Sequence, residues 1–286
     1  GAYSHQLFDA VRGVGEVLYS NNDQAEYSDS ATGHLSAWTA DGYTVSGSSN
    51  TEELNDTGQN YVAWNWLGAN GTVTNTDGTN IDSTVSANQD AGFSICKYTA
   101  TNTIGDSFGH GLAQKPDLLI FKNLDRAFGA SAIANWTTFS DQLTTDYTTA
   151  LALNETAAVT SYNGLNQKAP TASVVELGDN DGTNYGTDDY ICYCFHSVEG
   201  YSKVGTYEGN GNADGTFVYT GFTPEYFMVK NVDATGSWAI HDSARTPYNG
   251  DSSTLLANST DTEATGSGSA YLVDILSSGF KLRATG

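Results

Sequence analysis

Apolar residues recur at alternate positions in short runs, and each run closes on glycine, asparagine or aspartate. In Tyr61–Trp66 the side chains of Val62, Trp64 and Trp66 share one side, and in Tyr190–Phe195 Ile191, Tyr193 and Phe195 do the same. A period of two puts such residues on one face of a strand, so both segments read as core-facing strands. Asp117–Asn123 and Glu225–Asn231 are apolar strand-like runs, each led by proline and closed by Lys-Asn-x-Asp. Trp38–Val45 and Asp274–Leu282 each read as two strands around a turn. The one place for a helix is Trp136–Thr149.

These segments repeat. From Gly92 to Pro116 is 24 steps, and from Gly200 to Pro224 is again 24. Asp9-Ala-Val-Arg12 returns as Asp242-Ser-Ala-Arg245. Leu18–Asp23 matches Leu151–Thr156 and Leu255–Thr260, with Asn21, Asn154 and Asn258 in register. One unit therefore recurs: a hairpin, a Pro-led strand, a strand ending in an Asp-x-x-Arg loop, a Leu-rich strand, a Gly-turned hairpin and an aromatic strand. Short strands with Gly/Asn/Asp turns predict an all-β chain of tandem β-sandwich (jelly-roll or lectin-like) repeats whose terminal repeats are incomplete. Residues 92–199 form a complete repeat, 1–69 and 200–286 partial ones, and the polar stretch 70–91 a linker. A sandwich lacking a core strand exposes an unpaired edge, so the end repeats are expected to be completed by sequence beyond the chain or by strands of neighbouring subunits.

Composition narrows the partners. Among 286 residues, 11 Lys and Arg face 33 Asp and Glu, a net charge of −22. Such a surface repels nucleic acid and anionic membranes. No apolar run approaches the ~18 residues of a spanning helix, so neither nucleic-acid binding nor membrane insertion is expected. No signal peptide is read at the N-terminus, and the repeat is already under way there, so a longer parent protein would hide one. Three cysteines give no disulfide framework. Cys192 and Cys194 lie on one face of one strand and read as small buried hydrophobes.

Several motifs suggest chemistry and are weighed here against plainer roles. Gly105-Asp-Ser107-Phe-Gly109 fits a nucleophile elbow, but that device needs a strand–turn–helix context, and the sister copy has Gly215 in place of the serine. Asn210-Gly-Asn212-Ala-Asp214-Gly215 and Asp179-Asn-Asp181-Gly182 resemble parts of calcium loops, yet the same residues are what β-turns need. The cofactor reading is therefore none, with a structural calcium ion left open, and no metal site is assigned. His5, His34, His110, His196 and His241 have no ligand spacing. Asp9/Arg12 and Asp242/Arg245 read as loop-fixing ion pairs. Asp188–Asp189 and Glu52–Glu53 are adjacent pairs whose members face opposite ways on a strand, unlike a glycosidase pair. Trp38, Trp136, Trp238, Tyr207 and Tyr219 are the aromatics outside the predicted core face that are able to stack on sugars. No catalytic residue is assigned, and the ligand-binding residues are unknown.

The phrases VEGYSKVGTYEGNGNADGTFVYTGFTPEYFMVKN, WAIHDSARTPYN, LLANSTDTEATGS and LSSGFKLR, with LFDAVRGVGEVLYSNN, DGYTV and YVAWNW in the first copy, span nearly the whole chain. Together they resemble a repeated domain of unknown function in virion proteins of marine tailed bacteriophages, labelled tail-fibre or tail-associated. The resemblance implies a non-enzymatic virion structural protein, extracellular, of a tail fibre or other exterior appendage or decoration. It implies a role in host-surface adhesion, with homo-oligomerisation, other virion proteins and host-surface glycans as partners. The alternatives are a secreted carbohydrate-binding module and, third, a polysaccharide-degrading tailspike.

Overall fold

A computed structural model describes residues 3–28, 35–46, 54–126, 135–246, 248–250, 252–266 and 271–285. Among these every regular element is a β-strand, and every ladder between strands is antiparallel. The expected all-β class is therefore the observed one. Glu52–Glu53 and His34 lie outside the described residues.

The middle of the chain builds an eight-stranded sheet. Its order across the sheet is Thr160–Ser161, Thr149–Ala152, Thr137–Ser140, Leu118–Asn123, Asp189–Phe195, Phe93–Thr99, Ser83–Asn88 and Val73–Asn75. Two expectations fail here. Residues 70–91 are not a linker: Val73–Asn75 and Ser83–Asn88 extend the sheet, and their polar side chains suit its outer margin. Trp136–Thr149 holds no helix. Thr137–Ser140 is a strand, because its alternation of Trp136, Thr138 and Ser140 with Thr137 and Phe139 matches the two faces it divides. Gly92 and Gly200, the first residues of equivalent segments, both take the left-handed conformation (φ 66° and 76°). At Gly92 a Cβ would also meet the His196 carbonyl oxygen at 2.5 Å.

Both faces of this sheet are buried. On one, Val85, Cys96, Tyr98, Leu119, Phe121, Phe139, Tyr190, Cys192 and Cys194 pack against a second layer carrying Phe108, Val175, Leu165 and Leu177. That layer includes the pair Ser107–Gly109 and Val174–Glu176, and it completes the sandwich. The opposite face carries Phe93, Ile95, Ile120, Trp136, Leu151, Ile191 and Tyr193. It meets Leu18 of the first repeat and Trp238, Ile240 and Ala257 of the third in one continuous core. The repeats thus share their apolar interior.

The first repeat supplies Gln6–Leu7, Glu16–Tyr19 and Tyr27–Ser28 as one small sheet and Leu35–Thr39 with Gly42–Val45 as a hairpin. The third supplies Tyr226–Val229, Ala239–Asp242, Ser253–Leu256 and Ala264–Thr265, plus Phe217–Tyr219 with the hairpin Val273–Leu276 and Gly279–Leu282. Tyr61–Trp66, expected as a strand, belongs to no ladder. Its counterpart Asp189–Phe195 is a strand because it is held between Leu118–Asn123 and Phe93–Thr99. No such neighbours flank Tyr61–Trp66 among the described residues, so alternation alone does not give it an extended hydrogen-bonded form.

Candidate functional site

The polar and aromatic residues that recur in the sequence converge where the three repeats meet. Each repeat carries the same local frame. The side-chain oxygens of Asn21, Asn154 and Asn258 accept the backbone N–H groups of His5, Trp136 and Trp238, at 2.9, 2.9 and 2.8 Å. Those N–H groups begin strands and would otherwise be orphaned. The frame aims residues 5, 136 and 238 out of their own repeat into the next. The Trp136 indole N–H donates to the Tyr19 carbonyl of the first repeat at 2.9 Å. The Trp238 indole N–H donates to the equivalent Ala152 carbonyl of the second at 3.0 Å. His5 holds the equivalent place in the first repeat, but its buried ring Nε2 has no hydrogen-bond partner among the described residues; the first repeat is tied to the third instead by the Ser20 hydroxyl, which donates to the Ala257 carbonyl at 2.7 Å.

A second set of contacts runs in the same sense. The Tyr193 hydroxyl donates to Asp9 Oδ2 at 2.8 Å, and the equivalent Trp64 indole donates to Asp242 Oδ2 at 3.0 Å. A third set joins backbones: Glu26 N–H to the Leu124 carbonyl, and Val159 N–H to the Val232 carbonyl. Second onto first, first onto third and third onto second closes a ring of three units. A heterologous interface whose rotation closes has no free end to propagate.

The two Asp-x-x-Arg loops are the anchors, and both are ion pairs as the sequence suggests. Asp9 accepts the N–H groups of Val11 and Arg12 and the Arg12 Nε. Arg12 also reaches Glu26, and its side chain is wholly excluded from solvent. Asp242, Arg245 and Glu263 repeat this arrangement. The Arg245 guanidinium further sits 5.5 Å from the Trp64 ring centre, which adds a cation–π attraction. In the central repeat the corresponding residues are Ser140, Leu143 and Val159. There the whole charged triad is replaced at once by neutral side chains, as expected where a buried charge without its partner is costly.

The remaining candidates resolve into structure. Ser107 lies within a strand and its hydroxyl oxygen accepts the Thr79 N–H, so the elbow context is missing. Asn210 Oδ1 accepts Asn212 N–H, Asn212 Oδ1 accepts Asp214 N–H, and the Asp214 carboxylate pairs with Lys281. These are turn contacts that already use the loop's oxygens. Asn180 Oδ1 caps Gly182 in the same manner. Asp188 pairs with Arg126 and Asp189 with Lys97. Among the described residues no group of three or more His, Cys, Asp or Glu is placed to hold a metal ion. Cys96, Cys192 and Cys194 are free and fully buried, with sulfurs 3.6 Å (192 to 194) and 4.0 Å (96 to 194) apart. Burial pushes all three thiols up, which keeps them neutral and unreactive.

Trp136 and Trp238 are buried inter-repeat donors and are not available to sugars. Trp38 remains exposed, edge-on to the exposed Tyr43 at 6.3 Å. Tyr219 is exposed beneath Lys203, and Tyr207 lies edge-on to Phe280. The roles of His5, Trp64 and Tyr193 across repeats are not read in the sequence. The register of Asn21, Asn154 and Asn258 is the signal that leads to His5, since it aligns His5 with the two tryptophans.

Burial also sets the histidines. His110 and His241 are buried, and this lowers each pKa to about 4. A histidine with a depressed folded pKa stays neutral while the unfolded chain takes up its proton near pH 6.5. Stability contributed by the neutral form is intact above pH 7 and is lost as pH falls toward 4. At pH 5 the expected loss is about 2 kcal/mol per histidine. Urea denaturation of His241→Gln at pH 7.5 and 5.0 checks this: the difference between the two pH values shrinks by about 2 kcal/mol relative to the parent chain.

The fold and junction define a ring-closed, pseudo-threefold all-β repeat protein. The profile of the domain of unknown function DUF7483 matches residues 1–286, and the chain belongs to that family. No curated protein and no solved structure matches it.

Proposed function

We propose that the chain is a structural, non-catalytic component of a virus particle, exposed on a tail fibre or other exterior appendage or decoration, where it contacts the host surface. The observation that carries this reading is the use of its chemically suggestive clusters: the acids, arginines and indoles of the junction are spent on joining repeats. Rigidity is what such an arrangement supplies. A surface of −22 net charge with few cations suits work outside cells and away from nucleic acid. The resemblance of the long sequence phrases to virion proteins of tailed phages is what supports a place in the virion.

The exposed pair Trp38 and Tyr43 favours a second reading, a secreted carbohydrate-binding module, because exposed rings stack on sugar faces. Antibody labelling of purified particles under the electron microscope separates the two. Labelling at an exterior appendage is expected. A chain absent from particles that still binds glycans on an array would select the second reading, and depolymerisation of host polysaccharide would overturn the non-catalytic one.

A further inference from the structure

We propose that Asn70 is a site of spontaneous deamidation, where the chain converts to aspartyl and isoaspartyl forms, and that the isoaspartyl form loosens the strand Val73–Asn75. Asparagine followed by glycine occurs at 70–71, 163–164, 210–211 and 249–250. Glycine has no Cβ to obstruct its own nitrogen and leaves the backbone free to turn, so each pair is competent in an unfolded chain. The fold protects three of them. Asn249 Nδ2 donates to the Ile275 carbonyl at 3.0 Å, and its Oδ1 accepts the Ile275 N–H at 2.8 Å. Asn210 Oδ1 accepts the Asn212 N–H at 3.1 Å, and its Nδ2 donates to the Asp214 carbonyl at 3.2 Å. At Asn163 the Oδ1 is shut off from solvent. The following Gly164 is buried, with the Phe139 ring 2.6 Å from where its Cβ would lie.

Asn70 is open where the others are held. Asn70 and Gly71 are both exposed, and a Cβ on Gly71 would meet nothing within 4 Å. The one hydrogen bond at this pair among the described residues is local. Gly71 N–H donates to the Ala69 carbonyl at 3.0 Å, closing a three-residue turn around Asn70. The pair lies between two anchored points. On one side Ala69 N–H donates to Ser86 Oγ at 3.0 Å. On the other Val73 pairs with Val85 at the margin of the eight-stranded sheet.

The reaction needs only water. The Gly71 nitrogen attacks Asn70 Cγ, its proton passes to solvent, and the new N–C bond closes a succinimide ring. The Cγ–Nδ2 bond breaks, and that nitrogen takes up a proton and leaves as ammonia. Water then opens the ring at either carbonyl to give aspartate or isoaspartate. One water is consumed and one ammonia released, with nothing oxidised or reduced. In isoaspartate the main chain runs through Cγ and is longer by one methylene. Between the anchored Ala69 and Val73, the outermost strand Val73–Asn75 is the part held by the fewest bonds, so it takes up the extra length. Both products also add a negative charge to an open cleft of about 420 Å³ that Asn70 shares with Asp90, where like charges repel.

The test ages the intact chain at mildly alkaline pH and follows each Asn-Gly peptide by mass spectrometry and by enzymatic methylation of isoaspartate. Asn70 is expected to convert at least about tenfold faster than Asn210 or Asn249, whose two side-chain bonds have to open first. Asn163, closed in by Phe139, is expected to be slower than Asn70 as well. In urea the four rates should converge, and an unchanged order there would mean that the fold is not what protects the other three. Conversion of folded Asn210 or Asn249 as fast as Asn70 overturns the assignment, as does an Asn70 that stays intact. Hydrogen exchange reads the effect on the sheet. The amides of Val73–Asn75 are expected to exchange severalfold faster in the aged chain than in the fresh one, and no faster in aged Asn70→Gln. Equal exchange in aged and fresh chains overturns the loosening of the strand.

Discussion

Trp136→Ala is expected to cost about 5 kcal/mol and to lower Tm by about 10–20 °C. Trp136 is fully buried and stacks on Tyr193 with ring centres 6.4 Å apart. Deleting a buried tryptophan side chain costs about 3–5 kcal/mol through lost transfer and a residual cavity. The Tyr19 carbonyl, which accepts the indole N–H inside the junction, then adds roughly 1–3 kcal/mol as an unpaired buried acceptor. The cavity opens between the first and second repeats, so little backbone is free to collapse into it. Trp136→Phe keeps a six-membered ring and loses the N–H donor with a smaller part of the volume, so a cost of about 1–3 kcal/mol is expected. Calorimetry on the parent and both variants checks the order. Equal effects of Ala and Phe would mean that the hydrogen bond, and not the volume, holds the two repeats together.

Asp9→Ala is expected to cost about 3–5 kcal/mol. The substitution strands the Arg12 guanidinium, whose side chain has no solvent exposure. It also removes the acceptor for the Val11 and Arg12 N–H groups and for the Tyr193 hydroxyl. Breaking a buried pair from one side leaves an uncompensated charge, whereas replacing all its members by apolar groups of similar size is often neutral. The chain contains that neutral solution in Ser140, Leu143 and Val159. The triple variant Asp9→Ser, Arg12→Leu, Glu26→Val is therefore expected to recover at least about half of the loss seen in Asp9→Ala. Asp242→Ala should cost less than Asp9→Ala, because the Arg245 side chain keeps 12% of its exposure and can be partly rehydrated. Denaturant midpoints of the parent chain and the three variants check the series. A triple variant weaker than Asp9→Ala would contradict the burial argument.

Local pattern carried much of the fold. Alternation marks one side of Asp189–Phe195 as a core face, and the Asp-x-x-Arg recurrence marks the two ion pairs, because both are set by residues close in sequence. Where the pattern misled, a distant neighbour decided. Tyr61–Trp66 alternates as well as Asp189–Phe195 but has no flanking strand among the described residues, so its backbone forms no ladder there. Residues 70–91 look polar enough for a linker. Val73–Asn75 and Ser83–Asn88 become strands because Ser83–Asn88 pairs with Phe93–Thr99 and carries Val73–Asn75 on its outer edge.

Read alone, the sequence establishes that this protein is all-β, that one unit recurs in it, that it is strongly acidic, and that Asp9 lies beside Arg12 and Asp242 beside Arg245. Each of these follows from spacing, composition or contacts within a few residues. That the repeats close into a ring with a shared core follows from contacts between distant residues. Trp136, Trp238, Trp64 and Tyr193 find their acceptors more than 80 residues away. A hydrogen bond of that reach leaves no periodicity in the chain, and the direction of a side chain across an interface is fixed only once both surfaces exist.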